Sequence, residues 1–163
     1  MDMISIRRAR ESDFDSIWQI FHQVVEEGET YTYDPSTTKE EARAIWMSEA
    51  VETYVACLGE RVVGTYILKP NQPGLGSHVA NAGYMVAATA QGQGVGRAMC
   101  EHSLAAAREA GFLAMQFNMV VSTNQAAVRL WKKLGFAIVG TLPKTFRHQR
   151  LGLVDAYVMH RFL

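Results

Sequence analysis

The chain has 163 residues, of which 48% are hydrophobic and 20% charged. That length suits one domain spanning residues 1–163, with roughly two-thirds of the unfolded surface buried in a single core, and excludes an intrinsically disordered chain. The 16 basic and 16 acidic side chains cancel, which argues against a nucleic-acid binder and against a polybasic membrane-surface protein.

The charges are nevertheless segregated. Residues 1–60 hold 13 acidic and 5 basic side chains, whereas residues 61–163 hold 3 and 11. Arg129, Lys132, Lys133, Lys144, Arg147 and Arg150 follow one another with no acid between them. Two readings fit: an anion site on the C-terminal half, or complementarity between two halves of one domain. Cys57 and Cys100 lack disulfide-framework or metal-ligand spacing, so a reducing, cytoplasmic setting and no metal are expected. Met1-Asp2-Met3-Ile4 lacks the apolar core of a signal peptide. No apolar run approaches the ~20 residues of a membrane-spanning helix.

In chain order, Ile4–Arg7 alternates as a strand. Ser12 or Asp13 opens a helix with Ile17, Ile20, Phe21, Val24 and Val25 on one face, stopped by Gly28. Residues 28–37 form a polar, aromatic-bearing loop, and a second helix starts near Ser36–Thr38 with Ala42, Ile45 and Trp46 inward. Tyr54–Leu58 and Val62–Leu68 form a hairpin about Gly59-Glu60. Pro70, Asn71, Pro73, Gly74 and Gly76 mark a loop from Lys69 to His78, one of two loops (with residues 28–37) expected to select the acceptor, and Val79–Ala87 is a strand. Gly94–Ala110 is a helix, Phe112–Val121 a strand and Asn124–Leu134 a helix. Phe136–Leu142 and Val154–Phe162 close the chain as strands. The order β-α-α-β-β-β-α-β-α-β-β predicts an α/β (α+β) fold: a mixed sheet with helices on both faces.

Gln91-Gly92-Gln93-Gly94-Val95-Gly96-Arg97 lies between a strand and a helix. Glycines at alternate positions let backbone amides converge on an anion at a helix N-terminus, an arrangement suited to a pyrophosphate. A P-loop is excluded because Arg97-Ala98 stands where Lys-Ser/Thr is required, and the dinucleotide fingerprint fails where Arg97 replaces its last small residue.

Taken with Asn124-x-x-Ala127-x-x-Leu130-Trp131 and Leu134-Gly135-Phe136, this loop resembles the GNAT N-acetyltransferase superfamily over residues 4–162. The resemblance implies a largely antiparallel sheet splayed around a CoA cleft, with acetyl-CoA as acetyl donor, CoA as product and no metal. Pantetheine would lie along Met85, Val86 and Ala87. Gln91, Gly92, Gln93, Gly94, Val95, Gly96 and Arg97 would hold the pyrophosphate, and Asn124 the cofactor arm. The basic run from Arg129 to Arg150 is a source of counter-charge for the 3′-phosphate.

A narrower pattern, His78-x-x-Asn81-x-Gly83 with Phe117-Asn118-x-Val120-x-x-Thr123-Asn124, is similar to fungal azetidine-2-carboxylate acetyltransferases. Gly140-Thr141-Leu142-Pro143-x-x-Phe146-x-His148 and the loop Thr30–Thr37 resemble phosphinothricin acetyltransferases. These resemblances imply a small amino-acid-like acceptor, with Asn81, Asn118 and Asn124 as catalytic candidates. Glu29, Tyr31, His78 and Asn81 are candidates for binding the acceptor. Glu26 and Glu27, beside the same loop, are further candidate bases. Alternatives are a protein N-terminal or lysine acetyltransferase, or a non-catalytic acyl-CoA-binding module. A homodimer through the C-terminal strands is a further expectation.

Direct transfer needs an uncharged amine, a polarised thioester carbonyl and a proton for the leaving thiolate. A backbone amide near Val86 can polarise the carbonyl. Many family members protonate the thiolate with a tyrosine, but Trp131 occupies that position, and an indole N–H is no such donor. Asn81 and Asn118 sit on predicted strands, where asparagine is disfavoured, which singles them out.

Overall fold

The computed structural model describes residues 3–163; Met1 and Asp2, part of the stretch read for a leader, lie outside the described residues. Phe14, Ile17, Phe21 and Val25 recur at helical spacing and are buried, so Phe14–Glu27 folds as α1 after the strand β1 (Ile4–Arg8). Gly28, at φ 65°, caps α1 by donating to the Val25 carbonyl at 3.2 Å. Thr38 starts α2 (Lys39–Trp46) through a capping box: its hydroxyl accepts from the Glu41 N–H at 3.2 Å, and Glu41 accepts from the Thr38 N–H at 3.3 Å.

Next come the hairpin β2 (Glu52–Leu58) and β3 (Arg61–Pro70), then β4 (Val79–Val86), α3 (Val95–Glu109), β5 (Ala114–Val121) and α4 (Gln125–Lys133). The strands β6 (Ala137–His148) and β7 (Gly152–Phe162) end the chain. The element order is the one expected.

One seven-stranded sheet has the order β1-β2-β3-β4-β5-β7-β6. Every neighbouring pair is antiparallel except β4 and β5. Because side chains alternate along each strand, the sheet feeds two cores. Ile67, Met85 and Val55 pack under α1 and α2, around Phe14, Phe21 and Trp46. Tyr66, Leu68, Met115 and Phe117 pack under α3 and α4, with Met99, Leu104, Val128 and Trp131.

Trp46 ties α2 to the sheet. It is fully buried, its indole N–H donates to Thr65 Oγ1 at 2.9 Å, and its carbonyl accepts from Thr53 Oγ1 at 2.5 Å. Truncating such a side chain to alanine costs roughly 3–5 kcal/mol.

The last hairpin is longer than expected. The sequence reading ends β6 at Leu142, just before Pro143, which lacks an N–H for the ladder. Pairing resumes instead at Phe146, across a register shift between Leu142 and Phe146. Lys144 sits there at φ 48°, and its N–H donates to Asp155 Oδ1 at 2.8 Å. A bulge on an edge strand absorbs the proline, which has no N–H to contribute to the ladder. The extended hairpin returns to α1, where Gln149 N–H donates to the Gly28 carbonyl at 2.9 Å and Arg150 Nε to Glu29 Oε1 at 2.7 Å.

Candidate active site

The parallel strands β4 and β5 pair only at Val79 with Ala114 and Ala80 with Met115, and separate beyond. Asn81 stands where they part: its Nδ2 donates to the Gln116 carbonyl at 2.9 Å, satisfying a β5 acceptor just past the paired stretch. An asparagine that weakens a strand interior is thus suited to a strand that loses its neighbour.

Separation leaves backbone groups of β4 free. Ala87 N–H donates to the Val63 carbonyl at 2.8 Å, so strand alternation turns the N–H and C=O groups of Tyr84 and Val86 away from β3, into the split. Tyr31 donates its hydroxyl to the Tyr84 carbonyl at 2.9 Å. This approach needs Gly83, since a Cβ there would lie 3.0 Å from the Tyr31 oxygen. The split opens into a cavity of about 870 Å³.

At the wide end, Gly92 and Gly94 have φ 74° and 81°. A Cβ on either would meet nothing within 4 Å, so their requirement is backbone conformation rather than space. The third glycine plays a different part from the one expected: Gly96 lies inside α3, where a Cβ would make ordinary contacts with Leu130 at 3.8 Å and Val86 at 3.9 Å. The first amide bonded within α3 is that of Ala98, to the Gly94 carbonyl at 3.0 Å. The amides of Val95, Gly96 and Arg97 therefore have no intrahelical acceptor, and the helix dipole adds positive potential there. These donors, with a bulky cavity beside them, fit a diphosphate on an extended arm.

Of the residues expected to hold the cofactor, Met85, Val86, Gln91, Gly92, Gly94, Val95, Gly96, Arg97 and Asn124 line the cavity. Ala87 and Gln93 do not; Gln93 Nε2 donates instead to the Thr89 carbonyl at 3.2 Å. The basic run 129–150 is absent from the walls, where the cations are Lys69 and Arg97. Asn124 caps α4, accepting from the Ala127 N–H at 3.3 Å.

Asn118 lies on β5 at a register shift between Phe117 and Val120, a bulge of the kind that re-aims side chains. Its Nδ2 donates to Asn71 Oδ1 at 2.7 Å, and its Oδ1 accepts from Gln116 Nε2 at 2.9 Å. The sequence pointed to Asn118 and placed Asn71 in the loop over residues 69–78, but gave no sign that the two would meet.

Tyr31 lines the cavity, and Glu27 does so rather than Glu26 or Glu29. His78 also lies off the walls, exposed. Glu29 is held by Arg150. Burial, with Tyr33 second, pushes the Tyr31 hydroxyl far above the usual phenol range, and burial likewise raises Tyr33 and Tyr84. None of the three tyrosines is suited to proton transfer near neutrality. Trp131 packs against Tyr84, Phe117 and Phe136, with ring centroids 5.1, 5.2 and 6.5 Å away. His148 Nδ1 accepts from the Arg150 and Leu151 N–H groups at 3.1 and 3.2 Å. Among the described residues, no group of His, Cys, Asp and Glu is placed to hold a metal ion.

A mixed sheet split beside a glycine-rich, helix-capping loop defines an acetyl-CoA-dependent N-acetyltransferase. The chain belongs to the acetyltransferase (GNAT) family, whose profile matches residues 14–136. It is 31% identical over 153 residues to the N-acetyltransferase aca1 of Schizosaccharomyces pombe, covering 82% of this chain and 72% of that protein. It is 29% identical over 168 residues to the L-amino acid N-acetyltransferase AaaT of Escherichia coli, covering 99% of each. A GCN5-related N-acetyltransferase from Kribbella flavida superposes with a TM-score of 0.94 at 46% identity, over 98% of each chain.

Proposed function

We propose that the protein, acting as one domain over residues 1–163, transfers acetyl from acetyl-CoA to the amine of a small amino-acid-like acceptor. The observation that carries this reading is the β4–β5 split, beside which free backbone amides, the glycine loop before α3 and the asparagines Asn81, Asn118 and Asn124 line one cavity. The acceptor class is supported by the similarity to AaaT and by the resemblance of the Asn81 and Asn118 motifs to proline-analogue acetyltransferases.

Acetyl-CoA supplies the activated acetyl group. The free Val95, Gly96 and Arg97 amides would hold its diphosphate, the β4 edge at Val86 would guide its arm, and the Val86 N–H would polarise the thioester carbonyl. Asn118 orients the acceptor, and Asn81 keeps the strands parted. The uncharged amine forms the new C–N bond as the C–S bond breaks, and its proton reaches the thiolate through solvent, since Trp131 cannot donate it. Buried, unpaired Cys57 and Cys100 suit a reducing cytoplasm. Among the described residues no helix is long and apolar enough to cross a membrane.

Asn118→Ala tests the site. Thiol release should fall at least tenfold in kcat while acetyl-CoA affinity stays within about twofold of the parent. Wild-type turnover would remove Asn118 from the site.

A further inference from the structure

We propose that Lys69 reads the free carboxylate of the acceptor, so that the enzyme takes amino or imino acids and rejects their carboxamides and peptide N-termini. This rests on the small-acceptor reading above and narrows it.

Lys69 lines the cavity from β3, two residues beyond Ile67, whose side chain joins the core under α1 and α2. The side-chain period of a strand therefore puts Lys69 on that same face. The register β3–β4 sets Lys69 beside Asn81 and Ile67 beside Gly83. The Asn71 N–H extends this ladder, donating to the Val79 carbonyl at 2.8 Å. Asn71 consequently follows Lys69 on the same face and bonds Asn118 at 2.7 Å. The register thus sets Lys69 on the same face as a row of amides, where the strands part.

Lys69 forms no ion pair among the described residues, whereas the other lining cation, Arg97, is paired with Glu101 at 3.0 Å. No acid lies in this row; Glu27, the acidic residue of the cavity wall, comes from α1. Tyr31, Tyr33, Trp46 and Ile67 also line the cavity, with Thr30 and Thr32 among them, so the wall offers aromatic and apolar surface for a side chain or ring. An ammonium flanked by amide donors is complementary to a carboxylate through charge-assisted hydrogen bonds. Lys69 is exposed at the mouth of the cleft, so a carboxamide, which carries no negative charge, forgoes the charge-assisted bond and leaves the ammonium to solvent.

The test is thiol release from acetyl-CoA by the full chain, using L-proline, azetidine-2-carboxylate, L-methionine and L-phenylalanine, each beside its carboxamide. The parent enzyme should favour the best acid over its amide by at least tenfold in kcat/KM. Lys69→Met should lower that ratio at least tenfold through KM for the acid, with KM for acetyl-CoA unchanged, and Lys69→Arg should restore most of it. Equal use of acid and amide by the parent, or an unchanged ratio in K69M, would overturn the assignment while leaving the small-acceptor reading intact. Turnover of peptides with none of these acids would overturn both.

Discussion

Gly94 shows how a single residue carries the site. At φ 81° with open space around its missing Cβ, its substitution by valine introduces backbone strain of about 1–3 kcal/mol without a side-chain clash. We expect G94V to stay folded and to lose at least tenfold in acetyl-CoA affinity by calorimetry. Parent-like affinity would detach the loop from the diphosphate.

Tyr31 is the converse case, a residue whose chemistry is suppressed. With Tyr31 held protonated by burial, turnover at subsaturating acceptor should climb with pH only as the acceptor amine loses its proton. For a free amino acid that pKa lies above the roughly 8 of a peptide α-amino group, because its own carboxylate stabilises the ammonium. The hydroxyl stays protonated up to pH 9.5, so Y31F should show the same profile. A limb lost in Y31F would make Tyr31 an acid or base. The glycine loop was readable in sequence because left-handed backbone selects glycine directly. The contact of Asn71 with Asn118 was not, because it spans 47 positions and no local pattern records it.

Among the elements, helix ends were the most legible, since Thr38 and Asn124 cap by local hydrogen bonds. The β6–β7 hairpin was the least, because Pro143 disfavours a strand locally while edge pairing with β7 tolerates it. At α1, Asp13 receives both guanidinium nitrogens of Arg7, at 2.8 and 2.9 Å, and the Arg10 N–H at 2.6 Å. The bond from Arg7 holds its carboxyl below the usual range against the cost of burial. A carboxyl depressed in the folded state stabilises above its unfolded pKa of about 3.9 and loses that contribution as pH falls through the folded value. Asp13→Asn should therefore lower Tm at pH 7 and differ little from the parent near pH 2. An equal loss at both would assign Asp13 a packing role.

For the whole molecule, the cancelled net charge has a partial structural explanation. Among the described ion pairs, Arg150–Glu29 alone joins the acidic and basic halves; the others lie within one half. Complementarity between the halves is thus local to the hairpin tip. The basic run that drew attention in the sequence lies away from the cavity, while Lys69 and Arg97, isolated in sequence, line it. A clustered charge in sequence does not become a clustered charge in space when the residues span α4, β6 and the hairpin tip. The succession of elements and the mixed character of the sheet were legible, whereas the strand order, with β7 between β5 and β6, was not. That the sheet splays came from the family resemblance; that β4 and β5 are the strands that part came from the structure, because pairing between separate strands leaves no local pattern.

The most direct measurement is a competition in one tube. The full chain, acetyl-CoA, a mixture of free amino and imino acids and an equimolar set of short peptides would be incubated together, and the acetylated products identified by mass. The β4–β5 cleft with Lys69 at its acceptor end predicts N-acetyl amino acids, formed in step with released CoA. Acetylation confined to peptides, or tight acetyl-CoA binding with no acetylated product, would contradict it.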